Sequence, residues 1–168
     1  KLTEQELRNA TYTGTWLTNA KSIFSKSNCA AYLLSKDYVK GSPIRQEFLE
    51  TALKWINNDN IEGYMSVYQH NPNANELWLY FQSVINWIKV VFPNYRKDMQ
   101  GLNWGGYYNK YKDISYNSAE LDKRVAELIE DDEVQNNKGI YEFLLGGELE
   151  TKLLNLRAFP EKVAKKVY

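Results

Sequence analysis

Apolar residues recur every three or four positions over residues 77–91, and the pattern stops just before Pro93. Its members are Leu77, Trp78, Phe81, Val84, Ile85, Ile88 and Val91. This spacing puts them on one face of an α-helix, which turns once in about 3.6 residues. Proline cannot continue the helix because it lacks a backbone N–H. The stretch is therefore predicted to be the longest and most apolar helix, at the centre of the core.

The same periodicity marks most other long segments of the chain. It predicts shorter helices near residues 16–24, 43–56, 61–68, 95–99, 104–111 and 117–129, and helical spacing continues over 149–168. Residues 29–34 and 139–145 are two further apolar segments. Strand-like alternation of useful length is missing from the sequence. The predicted fold class is therefore all-α, an irregular bundle of short and medium helices. At 168 residues, the chain is expected to form a single helical domain.

Polar residues indicate where several of these helices begin. Thr3 with Glu6, and Asn117 with Glu120, have the spacing of a capping box, in which side chains satisfy the free amides of the first turn. Gly41-Ser42-Pro43 marks a boundary, since serine suits the cap and proline the first helical position. A helix is therefore expected to start directly after Ser42 and to carry Ile44 on its apolar face.

Cysteine and histidine usage excludes several kinds of site. With Cys29 and His70 as the only residues of their types, the chain has neither an internal disulfide nor a zinc set of cysteines and histidines. Cys29 lies in an apolar stretch and is expected to be a buried, inert thiol. His70, beside Asn71-Pro72, is expected in a surface loop. A single cysteine fits a reducing, intracellular compartment. The sequence has no apolar run of the ~20 residues that a membrane-spanning helix needs, and its polar start at Lys1 does not resemble a signal peptide. We therefore predict a cytoplasmic protein without a membrane segment.

The remaining motifs give no recognisable catalytic or metal site. The acidic run over residues 130–133 lacks the glycine and alternate spacing of a calcium loop, so a solvated surface is the preferred interpretation. Gly105-Gly106 and Gly146-Gly147 match neither a P-loop nor a dinucleotide fingerprint. No nucleophile, base and orienting group occur at a recognisable spacing. We therefore predict no catalytic residue, no metal ligand and no cofactor in this chain.

Charge is segregated along the chain although the formal net charge is zero. Residues 89–112 hold five basic side chains against one acid, residues 152–166 again five against one, and residues 113–133 eight acids against two bases. Basic groups bind phosphates and aromatic rings stack on bases. The candidate nucleic-acid contacts are Lys89, Arg96, Lys97, Trp104, Lys110 and Lys112. Mutual neutralisation within the fold, or simple solvation, remains an open alternative.

Several phrases of the sequence resemble one family. They are LTEQELRNA (2–10), GSPIRQ (41–46), WLYFQSVI (78–85), WG (104–105), YNKY (108–111) and KGIY (138–141). They resemble bacterial proteins that carry an N-terminal ParB-like domain of the GmrSD type and a C-terminal HNH endonuclease domain. The resemblance covers nearly the whole chain, but these phrases are not catalytic motifs.

The resemblance implies a helical middle region lying between two domains that this sequence does not contain. The Asp-Gly-Gln-Gln-Arg motif of the ParB-like domain and the Cys-x-x-Cys pairs of the HNH domain do not occur in it. A divalent metal would belong to that HNH domain. The implied function is a connecting and regulatory domain of a restriction or phage-defence protein, with DNA and the flanking domains as partners. The alternative is a protein-interaction or dimerisation module that uses the same aromatic residues.

Overall fold

The computed structural model describes residues 14–157, which form eight α-helices, three short 3-10 turns and no strand. The all-α fold class is confirmed. The expected helix at Thr3 and the end of the predicted tail, residues 158–168, lie outside the described residues. The helices are α1 Thr15–Phe24, α2 Ala30–Ser35, α3 Glu47–Ile56, α4 Ile61–Tyr68, α5 Asn75–Val91, α6 Trp104–Tyr111, α7 Ser118–Ile129 and α8 Ile140–Leu145.

The described residues divide after Ser115 into two compact units. The first contains α1 to α6 and a 3-10 turn at Lys97–Met99. The second contains α7, α8 and 3-10 turns at Asn137–Gly139 and Thr151–Leu154. The single domain expected over residues 1–168 stays a prediction.

Helix α5 is the core helix of the first unit, as its periodicity predicts. It packs against α2, α3 and α6, while α3 also contacts α1 and α4. The inward face of α5 is fully buried, with an exposed fraction of 0% at Leu77, Phe81, Val84, Ile85 and Ile88. Burying side chains of this size stabilises the fold by about 1.5–3 kcal/mol each, before the loss of chain entropy is counted.

Aromatic rings from three helices meet at Phe81 in this core. The Phe24 ring of α1 meets Phe81 edge-on at 5.3 Å between centroids, and the Trp55 ring of α3 stacks on it at 5.7 Å. Edge-on and offset-stacked rings are the preferred aromatic arrangements, because the negative face of a ring attracts the positive edge of its neighbour. The stacking of Trp55 on Phe81 fixes the position of α3 against α5.

Helix α3 begins four residues later than the Gly41-Ser42-Pro43 signal predicts. Residues 43–46 are turns, and Gln46 has a φ of 66°, which a continuing helix cannot contain. The Glu47 carboxylate instead accepts a hydrogen bond from the Ser42 N–H, which closes the turn. Ile44 is 67% exposed, so its expected place on the apolar face was wrong.

The second unit is built on the pairing of α7 with α8. Val125 and Leu128 of α7 are buried, as are five of the six residues of α8. The Tyr116 hydroxyl donates to the Leu145 carbonyl at 2.6 Å, which ties the start of the unit to the end of α8. Arg124 of α7 forms a bidentate salt bridge with the Glu148 carboxylate, and its Nη2 lies 2.9 Å from Oε1.

The start of the predicted helical tail is a 3-10 turn instead of an α-helix. After the turn at Thr151–Leu154, Asn155 takes a φ of 48°, which ends regular helix. The Leu154 carbonyl accepts hydrogen bonds from the N–H groups of Gln135 and Asn136, both at 3.1 Å. The segment is therefore held by contacts distant in sequence, which its helical spacing could not reveal.

Asn117 caps α7 as the sequence predicts, because its Oδ1 accepts from the Glu120 N–H at 3.1 Å. Asn117→Ala is expected to lower the free energy of unfolding by about 1 kcal/mol. Asn117→Asp should leave it nearly unchanged, since aspartate caps equally well. Urea unfolding followed by far-UV circular dichroism measures both variants, and equal losses would rule out capping as the cause.

Candidate nucleic-acid interface

Helices α5 and α6 form an antiparallel pair within the first unit. The ring of Tyr80, in the first half of α5, lies 5.8 Å from the Tyr108 ring of α6, centroid to centroid. Trp87, about two turns later on α5, lies 5.8 Å from the same ring. At the other end of the pair, Phe92 lies 5.8 Å from Trp104, the first residue of α6. The positions of the predicted contact residues follow from this arrangement.

Trp104 is a core residue and cannot stack on a base. Its side chain is 0% exposed, and its indole N–H donates to the Met99 carbonyl at 2.8 Å. The Tyr107 ring covers it edge-on at 5.5 Å. The predicted contact at Trp104 was therefore wrong, because a ring at the start of a short helix can equally be the anchor that holds that helix in place.

Lys89 points away from α6. It lies exposed in the last turn of α5, two residues after Trp87. Two residues correspond to about 200° around a helix axis, so Lys89 projects from the flank opposite the one on which Trp87 meets Tyr108. Lys89 does not join the remaining candidates on one surface.

Arg96 and Lys97 lie in the connection between α5 and α6, beside the first turn of α6. Arg96 is half-buried, and its backbone N–H lies 3.2 Å from the Met99 sulfur. Lys97 is exposed in the 3-10 turn that presents the Met99 carbonyl to Trp104. These two basic residues therefore belong to the Trp104 end of the helix pair.

Lys110 and Lys112 lie at the opposite end of α6, about 10 Å along its axis. The Lys110 Nζ lies 5.2 Å from the centroid of the Tyr111 ring, and the Lys112 Nζ lies 5.4 Å from that of Tyr108. Both distances suit a cation–π contact. We call these four residues together with Trp87 the α6 surface. Both lysines are exposed and the three rings are half-buried.

A polar network holds the α6 surface against α3 and α5. The Tyr80 hydroxyl lies 2.6 Å from Asn109 Oδ1 and 3.0 Å from the Trp55 carbonyl, and Asn109 Nδ2 donates to that same carbonyl at 2.8 Å. Burial raises the pKa of Tyr80 to about 12, even though its hydrogen bond to Asn109 acts in the opposite direction. The hydroxyl therefore stays protonated and bonded at neutral pH.

Trp87, which belongs to the α6 surface, and Tyr80, which supports it, were not among the predicted contact residues. Both lie on α5, which was considered only for its apolar core face. The available signal was their seven-residue spacing, since seven residues make nearly two helical turns and return to one side of the helix. A second, narrower aromatic stripe beside the apolar one indicates that another element packs there.

Comparison of the chain with family models, with curated proteins and with solved structures found no match. The resemblance to the GmrSD-type proteins with an HNH domain therefore stays a prediction.

Cys29, His70 and the acidic run over residues 130–133 were also considered as possible site residues. Cys29 is buried at the start of α2, and His70 is exposed in the turn after α4, both as expected. In the acidic run, Asp131 accepts a hydrogen bond from the Glu133 N–H at 2.9 Å. Residues 14–157 contain no group of three or more His, Cys, Asp or Glu placed to hold a metal. Within the same range, no helix is both long and apolar enough to cross a membrane.

Proposed function

We propose that this chain is a helical connecting and regulatory domain of an HNH-endonuclease-like restriction or phage-defence protein, and that it contacts nucleic acid through the α6 surface. The observation that carries the nucleic-acid contact is the pairing of each exposed lysine with a tyrosine ring, Lys110 with Tyr111 and Lys112 with Tyr108. The wider assignment to such a protein rests on the sequence resemblance.

The charges of the α6 surface are available to phosphates. Among residues 14–157, no carboxylate lies within 4.0 Å of the Nζ of Lys110 or Lys112. A phosphate can therefore approach either lysine without first displacing an ion pair, while the adjacent half-buried tyrosines offer ring surface for an unpaired base. Two lysines on one helix end, each beside a ring, suit single-stranded or locally opened nucleic acid.

Two phosphate contacts predict weak binding that depends on salt. For single strands, the logarithm of the binding constant falls with the logarithm of salt concentration by about 0.7 per phosphate, so a slope of about −1.4 is expected. Sequence preference should be small, because phosphates are the same at every position and stacking on an aromatic ring is possible for every base.

The double substitution Lys110→Glu with Lys112→Glu is expected to weaken single-stranded DNA binding at low salt by at least about ten-fold, because it replaces attraction of the phosphates by repulsion. Fluorescence anisotropy with a labelled oligonucleotide measures the change. Far-UV circular dichroism of the same sample establishes that the variant is folded.

One matched double variant serves as the control for this experiment, and a second tests the other pair of basic candidates. Lys26→Glu with Lys89→Glu makes the same change in charge at exposed positions outside the α6 surface and should leave most of the binding intact. Arg96→Glu with Lys97→Glu tests the Trp104 end of the helix pair. Equal loss in all three variants would show that only net charge matters and would contradict a localised interface.

The alternative, a protein-interaction or dimerisation module, is favoured by the outward face of α5. Leu79 and Val90 on this helix are 62% and 72% exposed. They lie eleven residues apart, about three turns, and so project on the same side. Self-association at micromolar concentration, lost in Leu79→Glu with Val90→Glu and insensitive to salt, would support this function over nucleic-acid binding.

A further inference from the structure

An open cleft of about 230 Å³ lies in the first unit, between α3 with the turn after it, residues 38–40, and the turn that leads into α6. Lys40, Lys54, Asp59 and Asn103 contribute its polar walls, and Trp55 is one of its apolar residues. A smaller hollow of about 90 Å³ shares Lys54, Asp59 and Asn103 and continues along α6 to Asn109. Neither hollow includes a residue of the α6 surface.

The cleft carries a net positive charge. Two of its lining residues, Lys40 and Lys54, are cationic, and among its described lining residues only Asp59 is anionic. Within residues 14–157, no carboxylate lies within 4.0 Å of the Nζ of either lysine. Neither cation is neutralised by an ion pair there, so both can act on an anion that enters.

The backbone around the cleft is held in fixed turns. Gly101 has a φ of 89°, and its N–H donates to the Tyr38 carbonyl at 3.0 Å, which joins the connection before α6 to the segment that carries Lys40. On the opposite rim, Asn58 and Asp59 follow α3 with φ values of 51° and 69°. Asparagine and aspartate tolerate this left-handed conformation better than other residues with side chains.

Neutral hydrogen-bonding groups complete the lining. Asn103 caps α6, since its Oδ1 accepts from the Gly106 N–H at 3.3 Å, and both residues line the smaller hollow. Asn58 adds a further side-chain amide there, whereas the amide of Asn109 is already bonded to the Tyr80 hydroxyl and the Trp55 carbonyl. The start of α6 also presents the positive end of the helix dipole, which adds to the attraction for an anion but would not define a site alone.

We propose that this cleft binds a phosphate group, carried either by a small phosphate ester or by the backbone of a nucleic acid. Two lysine point charges match a phosphate monoester, which carries about −1.5 to −2 at neutral pH, better than they match a singly charged carboxylate. A backbone phosphodiester carries one charge and would be held less strongly. The volume is below the ~300–1,000 Å³ typical of sites for drug-sized ligands, so a whole dinucleotide does not fit inside. The site does not depend on the α6 surface.

The test is a titration of the folded chain with sodium phosphate against sodium chloride at matched ionic strength, followed by ¹H–¹⁵N NMR. The expected result is a saturable shift of the Gly106 amide and of the Trp55 indole N–H with phosphate alone. The variant Lys40→Met with Lys54→Met should weaken binding by roughly ten-fold or more, because each removes a charged partner. Lys26→Met with Lys89→Met is the matched control and should bind like the parent.

Two substitutions that preserve side-chain shape test the sign of the charge. Asp59→Asn removes the opposing carboxylate, keeps a residue that tolerates positive φ, and should strengthen phosphate binding. Asn103→Asp keeps an acceptor for the cap of α6 but adds a negative charge, and should weaken it. The opposite order of affinities would overturn the proposal, as would shifts that chloride reproduces or that the Lys40 and Lys54 variant retains.

The same titrations in the Lys110→Glu with Lys112→Glu variant distinguish a nucleic-acid backbone phosphate from a small phosphate ester. If a single-stranded oligonucleotide still shifts the Gly106 and Trp55 signals there, the cleft takes a backbone phosphate. If inorganic phosphate shifts them and the oligonucleotide neither does so nor competes, it takes a small phosphate ester. Either result supports the cleft, even when the α6 surface fails to bind DNA. Absence of a saturable shift with both probes would contradict it.

Discussion

Trp104→Ala is expected to lower the free energy of unfolding of the first unit by about 3–5 kcal/mol, the cost of emptying the space of a fully buried large aromatic ring. The side chain is 0% exposed and packs against Phe92 and Tyr107, with its indole N–H bonded to the Met99 carbonyl. Because domains are stable by only about 5–15 kcal/mol in total, the variant should be largely unfolded under mild denaturant. Urea unfolding followed by far-UV circular dichroism measures the loss.

Trp104→Phe separates the packing of the ring from its hydrogen bond. Phenylalanine refills most of the space but leaves the Met99 carbonyl without its indole donor, so a loss of about 1–3 kcal/mol is expected. When the folded fraction is accounted for, both variants should bind nucleic acid like the parent. A Trp104→Ala protein that folds as stably as the parent yet loses DNA binding would return Trp104 to the interface.

Features set by local chemistry could be predicted from the sequence. The apolar period identified α5 and its buried face, since a helix that must hide one side repeats apolar residues at its own pitch. The cap at Asn117 was equally predictable, because capping involves residues only three positions apart. Both depend on neighbours along the chain and not on the rest of the fold.

The start of α3 could not be predicted in the same way. Ser42 and Pro43 are suitable first residues of a helix, but the left-handed Gln46 and the bond from the Ser42 N–H to Glu47 select a turn instead. Several backbone conformations satisfy that short stretch locally. Packing beyond the stretch decides among them, which a propensity argument does not include.

The types of residue in the candidate site could be predicted, but not which of them lie together on one surface. The basic stretch supplied Lys110 and Lys112, which the structure pairs with tyrosines, yet it also included Lys89, which projects from the opposite flank of α5. Sequence proximity could not separate them, because the antiparallel pairing of α5 with α6 decides which flank is covered. The cleft could not be predicted for a related reason, because Lys40 and Lys54 line it together with Asn103, which is far from both in sequence.

Gly105→Ala is expected to have the second large effect, since it acts on the contact that joins α3 to α6. A Cβ at this position would overlap the Cβ and Cγ of Trp55, the first atoms of a buried side chain that cannot swing aside. Alanine favours helices more than glycine does, so propensity alone predicts a gain of about 1 kcal/mol. The overlap forces the two helices apart, and a net loss of about 2–3 kcal/mol is expected.

The matched control for this substitution is Gly63→Ala in α4, which lines neither hollow. There the added Cβ would meet only the side chain of exposed Asn60, which can turn aside, so the gain in helix propensity and the loss of the Asn60 cap should roughly cancel. Both variants are compared by urea unfolding, and by phosphate titration in the folded baseline. Gly105→Ala should lose stability and phosphate binding together, because displacing α6 from Trp55 also moves Asn103 away from Lys54. If Gly105→Ala instead stabilises the protein, α3 and α6 are not in the close contact on which the cleft depends.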